Sequence, residues 1–114
     1  GITDEAEFDK MRQGISWEGH ADRIKASYLC VAGECDELSP IEHSERLVKA
    51  VRGPKRMVVY EGSRHSVGNV PASNLGPLPQ TLVADWLADR VAGKPFANEH
   101  WFVRGNGQID KKPI

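Results

Sequence analysis

The chain reads as an α/β domain built on a mostly parallel sheet, and three observations predict it. Two short apolar runs, Ala26 to Ala32 and Arg56 to Tyr60, each end at a glycine-bearing exit, Gly33 in one case and Glu61-Gly62 in the other. A segment with helical periodicity lies between them. A second such segment, Thr81 to Val91, follows the later run. Strand, helix and strand in that order with a right-handed crossover make the two strands parallel.

Each element has a local reason. Thr3 before Asp4, Glu5 and Glu7 predicts a capped helix with acids in its positive first turn, stopping at Gly14. Ser16 to Asp22 is a further short helical turn, weakened by Gly19. The run Ala26 to Ala32 is nearly continuous in apolar character, as a strand covered on both faces would be. Ser39, Pro40 and Glu42 form a capping box with proline at the first helical position, so a helix starts there. Its apolar residues Ile41, Leu47, Val48 and Val51 recur at helical spacing, and Gly53-Pro54 ends it. Arg56 to Tyr60 is the second buried strand. The stretch from Asn69 to Pro79 carries Pro71, Gly76, Pro77 and Pro79 and reads as a loop near a working face. In the last helix Leu82, Val83, Trp86, Leu87 and Val91 form one stripe, closed by Gly93. Trp101-Phe102-Val103 with the turn signal Gly105-Asn106-Gly107 predicts a small hairpin in the tail.

Composition narrows the function classes. A length of 114 residues fits one domain. The formal charge of -1, from 15 basic and 16 acidic residues, gives no electrostatic case for nucleic acid or an anionic membrane. No apolar stretch approaches the roughly 20 residues of a bilayer span, and no signal pattern opens the chain, so a soluble, cytoplasmic protein is expected. Cys30 and Cys35, five apart, match neither a redox pair nor a zinc ribbon. His20, His43 and His100 show no metal-ligand spacing, so neither metal nor cofactor is expected. Trp17, Trp86 and Trp101 read as packing residues. A first residue Gly1 rather than Met points to a processed chain, a cloning remnant or a fragment.

Two residues carry the candidate chemistry. Asp36 and His65 each follow a parallel strand by a few positions, and in such sheets catalytic groups gather at the carboxyl ends of strands. If the strands are neighbours, about 5 Å apart, the carboxylate reaches the imidazole. The aspartate would then fix the tautomer while the other ring nitrogen takes a proton from a nucleophile. Alternatively Asp36 caps a turn and His65 is a solvated loop residue. Cys35 is a poor nucleophile, because Glu34, Asp36 and Glu37 would raise its pKa.

The strings Asp22-Arg23-Ile24-Lys25, Tyr28 to Ala32, Gly33-Glu34-Cys35-Asp36-Glu37-Leu38-Ser39-Pro40, Gly53-Pro54-Lys55-Arg56 and Tyr60-Glu61-Gly62-Ser63-Arg64-His65 together resemble the carboxyl-terminal part of the α/β-hydrolase superfamily. The nearest similarity is to esterase and acyl-peptidase-like hydrolases with a G-E-x-D-x-x-x-P acid loop and a G-x-x-H loop. The resemblance covers residues 24–93 or so and implies a three-layer fold in which Asp36 is the triad acid and His65 the triad base. It departs from the family in having Ala26-Ser27 where proline usually precedes the acid strand. The G-x-S-x-G nucleophile elbow and the oxyanion-hole elements are absent. Neither Ser16 nor Ser63 fits the elbow.

The expectation is therefore the carboxyl-terminal part of a hydrolase domain over residues 1–95, with a tail over 96–114, incomplete on its own. By resemblance it acts on a small acyl substrate through a serine that lies outside this chain, in an amino-terminal segment or a partner chain. Expressed alone, it is expected to be inactive and to oligomerise or swap. The alternative is a non-catalytic oligomeric α/β binding or dimerisation module.

Overall fold

The computed structural model describes Gly1 and residues 3–114. Helix α1 (Glu5–Gln13) is capped by Asp4, one residue later than expected, whose carboxylate accepts from the amides of Ala6 and Glu7 at 2.8 and 3.2 Å. None of its residues is buried, so local capping and end charges hold it rather than packing. A turn of 3₁₀ helix over Ala21–Arg23 then leads into β1 (Tyr28–Gly33). Helix α2 (Ile41–Ala50), β2 (Lys55–Tyr60), a 3₁₀ turn (Val67–Asn69), α3 (Pro79–Val91), β3 (Glu99–Val103) and β4 (Ile109–Pro113) follow.

The strands form one open, mostly parallel sheet in the order β1-β2-β3-β4. β2 is parallel to both neighbours, with Gly33 opposite Tyr60 and Tyr60 opposite Val103, while β4 returns antiparallel from β3. The tail hairpin turns at residues 104–108, where Gly107 takes the positive φ of 87° that the turn needs. Its first strand also extends the sheet.

Alternation along β2 builds two cores. Met57 and Val59 meet Ala32 and Val48 of α2 on one face, and Val58 and Tyr60 meet Leu82 of α3 and Val103 on the other. A fully buried side chain of valine or methionine size, such as Val48, Met57 or Val58, contributes roughly 1.5–3 kcal/mol. The strand order advances in one direction while α2 and α3 lie on opposite faces, so the two crossovers have opposite hands. One of them departs from the usual right-handed connection.

Three expectations need correction. The Ser39 capping box does not form: α2 begins at Ile41 behind Pro40, which makes no side-chain cap. The Asp36 carboxylate has already taken the Leu38 and Ser39 amides, and this upstream turn delays the helix. β1 is an edge strand, half-buried except at Ala32 and Gly33, because nothing among the described residues pairs with its outer side. On α3 only Leu82 and Trp86 of the predicted stripe are buried; Val83, Leu87 and Val91 lie round the helix and stay exposed.

The molecule is open in shape. Its Cα radius of gyration is 16.5 Å, against about 13 Å for a compact domain of this length.

Candidate functional site

The site is built where β1 and β2 leave the sheet side by side. The ladder continues past the strands, since Glu34 N donates to Tyr60 O at 3.0 Å and Cys35 N donates to Ser63 O at 2.8 Å. Gly33 makes this approach possible. A Cβ at that position would collide with the backbone of Ser63 and Arg64. Gly62 turns the second exit with φ of 65°, and its amide donates to the Glu34 carboxylate at 2.9 Å. Glu61 holds the far side, its amide donating to Val103 O and its carboxylate accepting from Gly105 N. The Tyr60 hydroxyl donates to Pro77 O at 2.6 Å and anchors the following loop.

Asp36 and His65 meet on this frame. His65 Nδ1 lies 3.0 and 2.9 Å from the two Asp36 carboxylate oxygens. Asp36 Oδ1 also accepts from the amides of Leu38 at 2.9 Å and Ser39 at 2.8 Å. The aspartate thus caps a turn and holds the imidazole at once, so the two readings of the residue are not exclusive. Burial alone would raise its pKa, but hydrogen bonds from the Ser39 amide, the His65 ring and the Leu38 amide outweigh that and hold the carboxyl below its ordinary value. A carboxylate has no proton to give, so Nδ1 carries the hydrogen, and in the neutral ring the lone pair belongs to Nε2 on the opposite side. The Asp36 side chain is 7% exposed and that of His65 56%, which leaves the imidazole open to solvent.

Among the described residues no side-chain hydrogen bond joins the other candidates to this pair. Ser63 is buried with its hydroxyl unpartnered, and Ser16 Oγ accepts from Glu18 N in an exposed turn. Cys35 is exposed, and Cys30 lies on β1 with burial pushing its thiol pKa up. Among the described residues no group of three or more His, Cys, Asp or Glu side chains could hold a metal ion, and no helix is long and apolar enough to cross a membrane. Sequence reasoning missed Glu34 and Glu61, the two carboxylates that fasten the exit loops. Glu34 stood inside the quoted acid loop, and its place one residue beyond the strand was the available signal.

Compared with protein-family models, with curated proteins and with solved structures, the chain matches none.

Proposed function

We propose that this chain supplies the acid and base of a Ser-His-Asp triad, as the carboxyl-terminal part of a serine-type α/β-hydrolase acting on an ester, amide or related acyl bond. The observation that carries this reading is the Asp36 to His65 hydrogen bond across two neighbouring parallel strand exits, with Nε2 free to meet a hydroxyl. In that scheme Nε2 takes the proton of an incoming serine as its oxygen bonds to the acyl carbon. The same proton then passes to the leaving group as the scissile bond breaks. Water repeats the sequence to release the acid. Asp36 stabilises the transient imidazolium throughout.

The serine comes from an upstream segment or a partner chain. Two features support an incomplete domain. The open shape is one, and the contrast between the two sheet edges is the other. β4 carries Asp110, Lys111, Lys112 and Pro113, residues that discourage further pairing, whereas β1 presents Leu29, Cys30 and Val31 with no charge or proline.

The test is turnover of p-nitrophenyl acetate by this chain alone and by a protein that adds an upstream segment bearing a serine elbow. Activity is expected only in the second, and His65→Ala there should cost roughly 10³-fold or more. Equal turnover by the chain alone would sink the proposal. A second reading, a non-catalytic dimerisation module, draws on the same bare edge and on the exposed Val83, Leu87 and Val91. Light scattering that finds a well-folded monomer counts against it.

A further inference from the structure

Two apolar faces lie without a partner among the described residues, and one is a ridge while the other is a cleft. The ridge belongs to α1. Phe8, Met11 and Ile15 recur at the spacing of a single helical stripe, and all three are exposed. No residue of this nine-residue helix is buried, and isolated helices below about 12–15 residues are marginal in water even in alanine-rich sequences. Docking would supply what the Asp4 cap cannot.

The cleft lies on the outer flank of α3. Val83 and Leu87, 37% and 57% exposed, line a shallow depression of about 410 Å³ with Pro79, Gln80, Ala84 and, from the neighbouring 3₁₀ turn, Gly68. Its lining carries no charge. The charged residues of α3 sit elsewhere, since Asp85 and Asp89 line the other flank with Trp86 and Trp101, and Arg90 lies 5.3 Å from the Trp86 ring centre. A helix apolar on its outer as well as its inner side is normally covered.

We propose that two copies of this chain exchange α1, each laying Phe8 and Met11 across Val83 and Leu87 of the other. An amphipathic helix whose anchors recur every three or four positions and an open apolar trough are the two halves of the helix-in-groove mode. Within one copy the sheet stands in the way. Arg46 of α2 lies 5.7 Å from the Trp17 ring centre and 3.4 Å from the Glu18 carboxylate, so the tether of α1 is held on the α2 face while the cleft opens on the α3 face. A second copy meets no such barrier. Area also favours exchange: α1 is about 13 Å long and about 10 Å across, so each contact covers on the order of 300 Å² on each surface. A reciprocal pair reaches about 1,200 Å² in all, the lower bound of a specific interface, and one contact alone falls short.

The inference uses neither Asp36 nor His65. It rests on the self-association reading above and assigns the contact to α1 and α3 rather than to the β1 edge. Sedimentation equilibrium of the whole chain, from micromolar to millimolar concentration, should show a reversible dimer. Phe8→Glu and Leu87→Glu, both at exposed positions, should each weaken it by at least about tenfold without altering the far-ultraviolet circular dichroism of the dilute chain. An equal mixture of the two variants should associate more tightly than either alone, because the Leu87→Glu chain keeps an intact α1 and the Phe8→Glu chain an intact cleft. A monomer at every concentration overturns the exchange and the self-association reading together. A dimer that survives Phe8→Glu overturns the exchange alone and points to the β1 edge. A mixture no tighter than its components, or nuclear Overhauser contacts between α1 and α3 in a monomer, also overturns it.

Discussion

Replacing Gly33 by alanine should separate the two exit loops and break the candidate dyad without touching either of its residues. A Cβ there meets the carbonyl oxygens of both Ser63 and Arg64, and these belong to backbone rather than to a side chain that could swing away. The loops must part by something like an ångström. The Cys35 to Ser63 hydrogen bond of 2.8 Å is lost first, and the Asp36 to His65 distances of 2.9 and 3.0 Å move out of hydrogen-bond range. Overpacking of this kind costs about 1–3 kcal/mol, and the lost backbone bond adds about 1 kcal/mol. With a urea m-value of roughly 1–2 kcal/mol/M for a chain of this size, the unfolding midpoint should fall by at least about 1 M. Gly68→Ala is the control, since its new methyl would meet only the Gln80 side chain at 3.8 Å. That variant should stay within about 0.5 kcal/mol of the parent. Urea titration followed by tryptophan fluorescence measures both, and the His65 Nδ1 proton resonance reports the dyad. Equal midpoints for the two variants, or an unmoved Nδ1 proton in Gly33→Ala, would refute the close-approach argument.

Other outcomes follow from the same geometry. Asp36→Ala should lower the urea midpoint more than His65→Ala, because it strands the Leu38 and Ser39 amides as well as the ring; the reverse order would show that the turn does not depend on the carboxylate. Stability should fall as pH drops below about 6.5, since the His100 pKa is lowered on folding and the unfolded chain takes up the proton first. His100→Gln should flatten that slope. A second loss belongs to Asp36, below the ordinary carboxylate range near 3.9, because its folded pKa is also lowered and its contribution is present only above that range. Denaturation midpoints between pH 8 and 3 separate the two. Arg56→Lys should cost about 1–2 kcal/mol, because the guanidinium lies 4.0 Å from the Trp101 ring centre, 4.7 Å from Phe96 and 5.3 Å from Trp86, a stack that an ammonium cannot reproduce. An unchanged midpoint there would mean the stack is incidental.

Much of this architecture was legible in the chain because local chemistry and long-range packing agreed. The runs ending at Gly33 and Gly62 had to be strands that stop where the backbone needs room or a left-handed turn, and the helix between them set their parallel order. The spacing of Asp36 and His65 from those strand ends was enough to place the two side chains at adjacent exits. What escaped were features decided by competition or by distance. Ser39 had the residues of a capping box, but Asp36 held its amide from three positions upstream. β3 looked like half of an isolated hairpin because its pairing with β2 spans about forty residues and leaves no local trace. Val83, Leu87 and Val91 had helical periodicity, and periodicity reports a face without saying whether this chain covers it.

The bare edge of β1 has a consequence for any measurement made on the molecule. A strand that pairs there binds only the folded form, and mass action then pulls the unfolding equilibrium with it, by about 2.7 kcal/mol when the pairing segment stands at a hundred times its dissociation constant. Stability becomes a function of dose. If a second copy or a flanking segment is what pairs there, two laboratories working at different protein concentrations, or with different lengths of flanking chain, would report different melting points for the same sequence. Both numbers would be right.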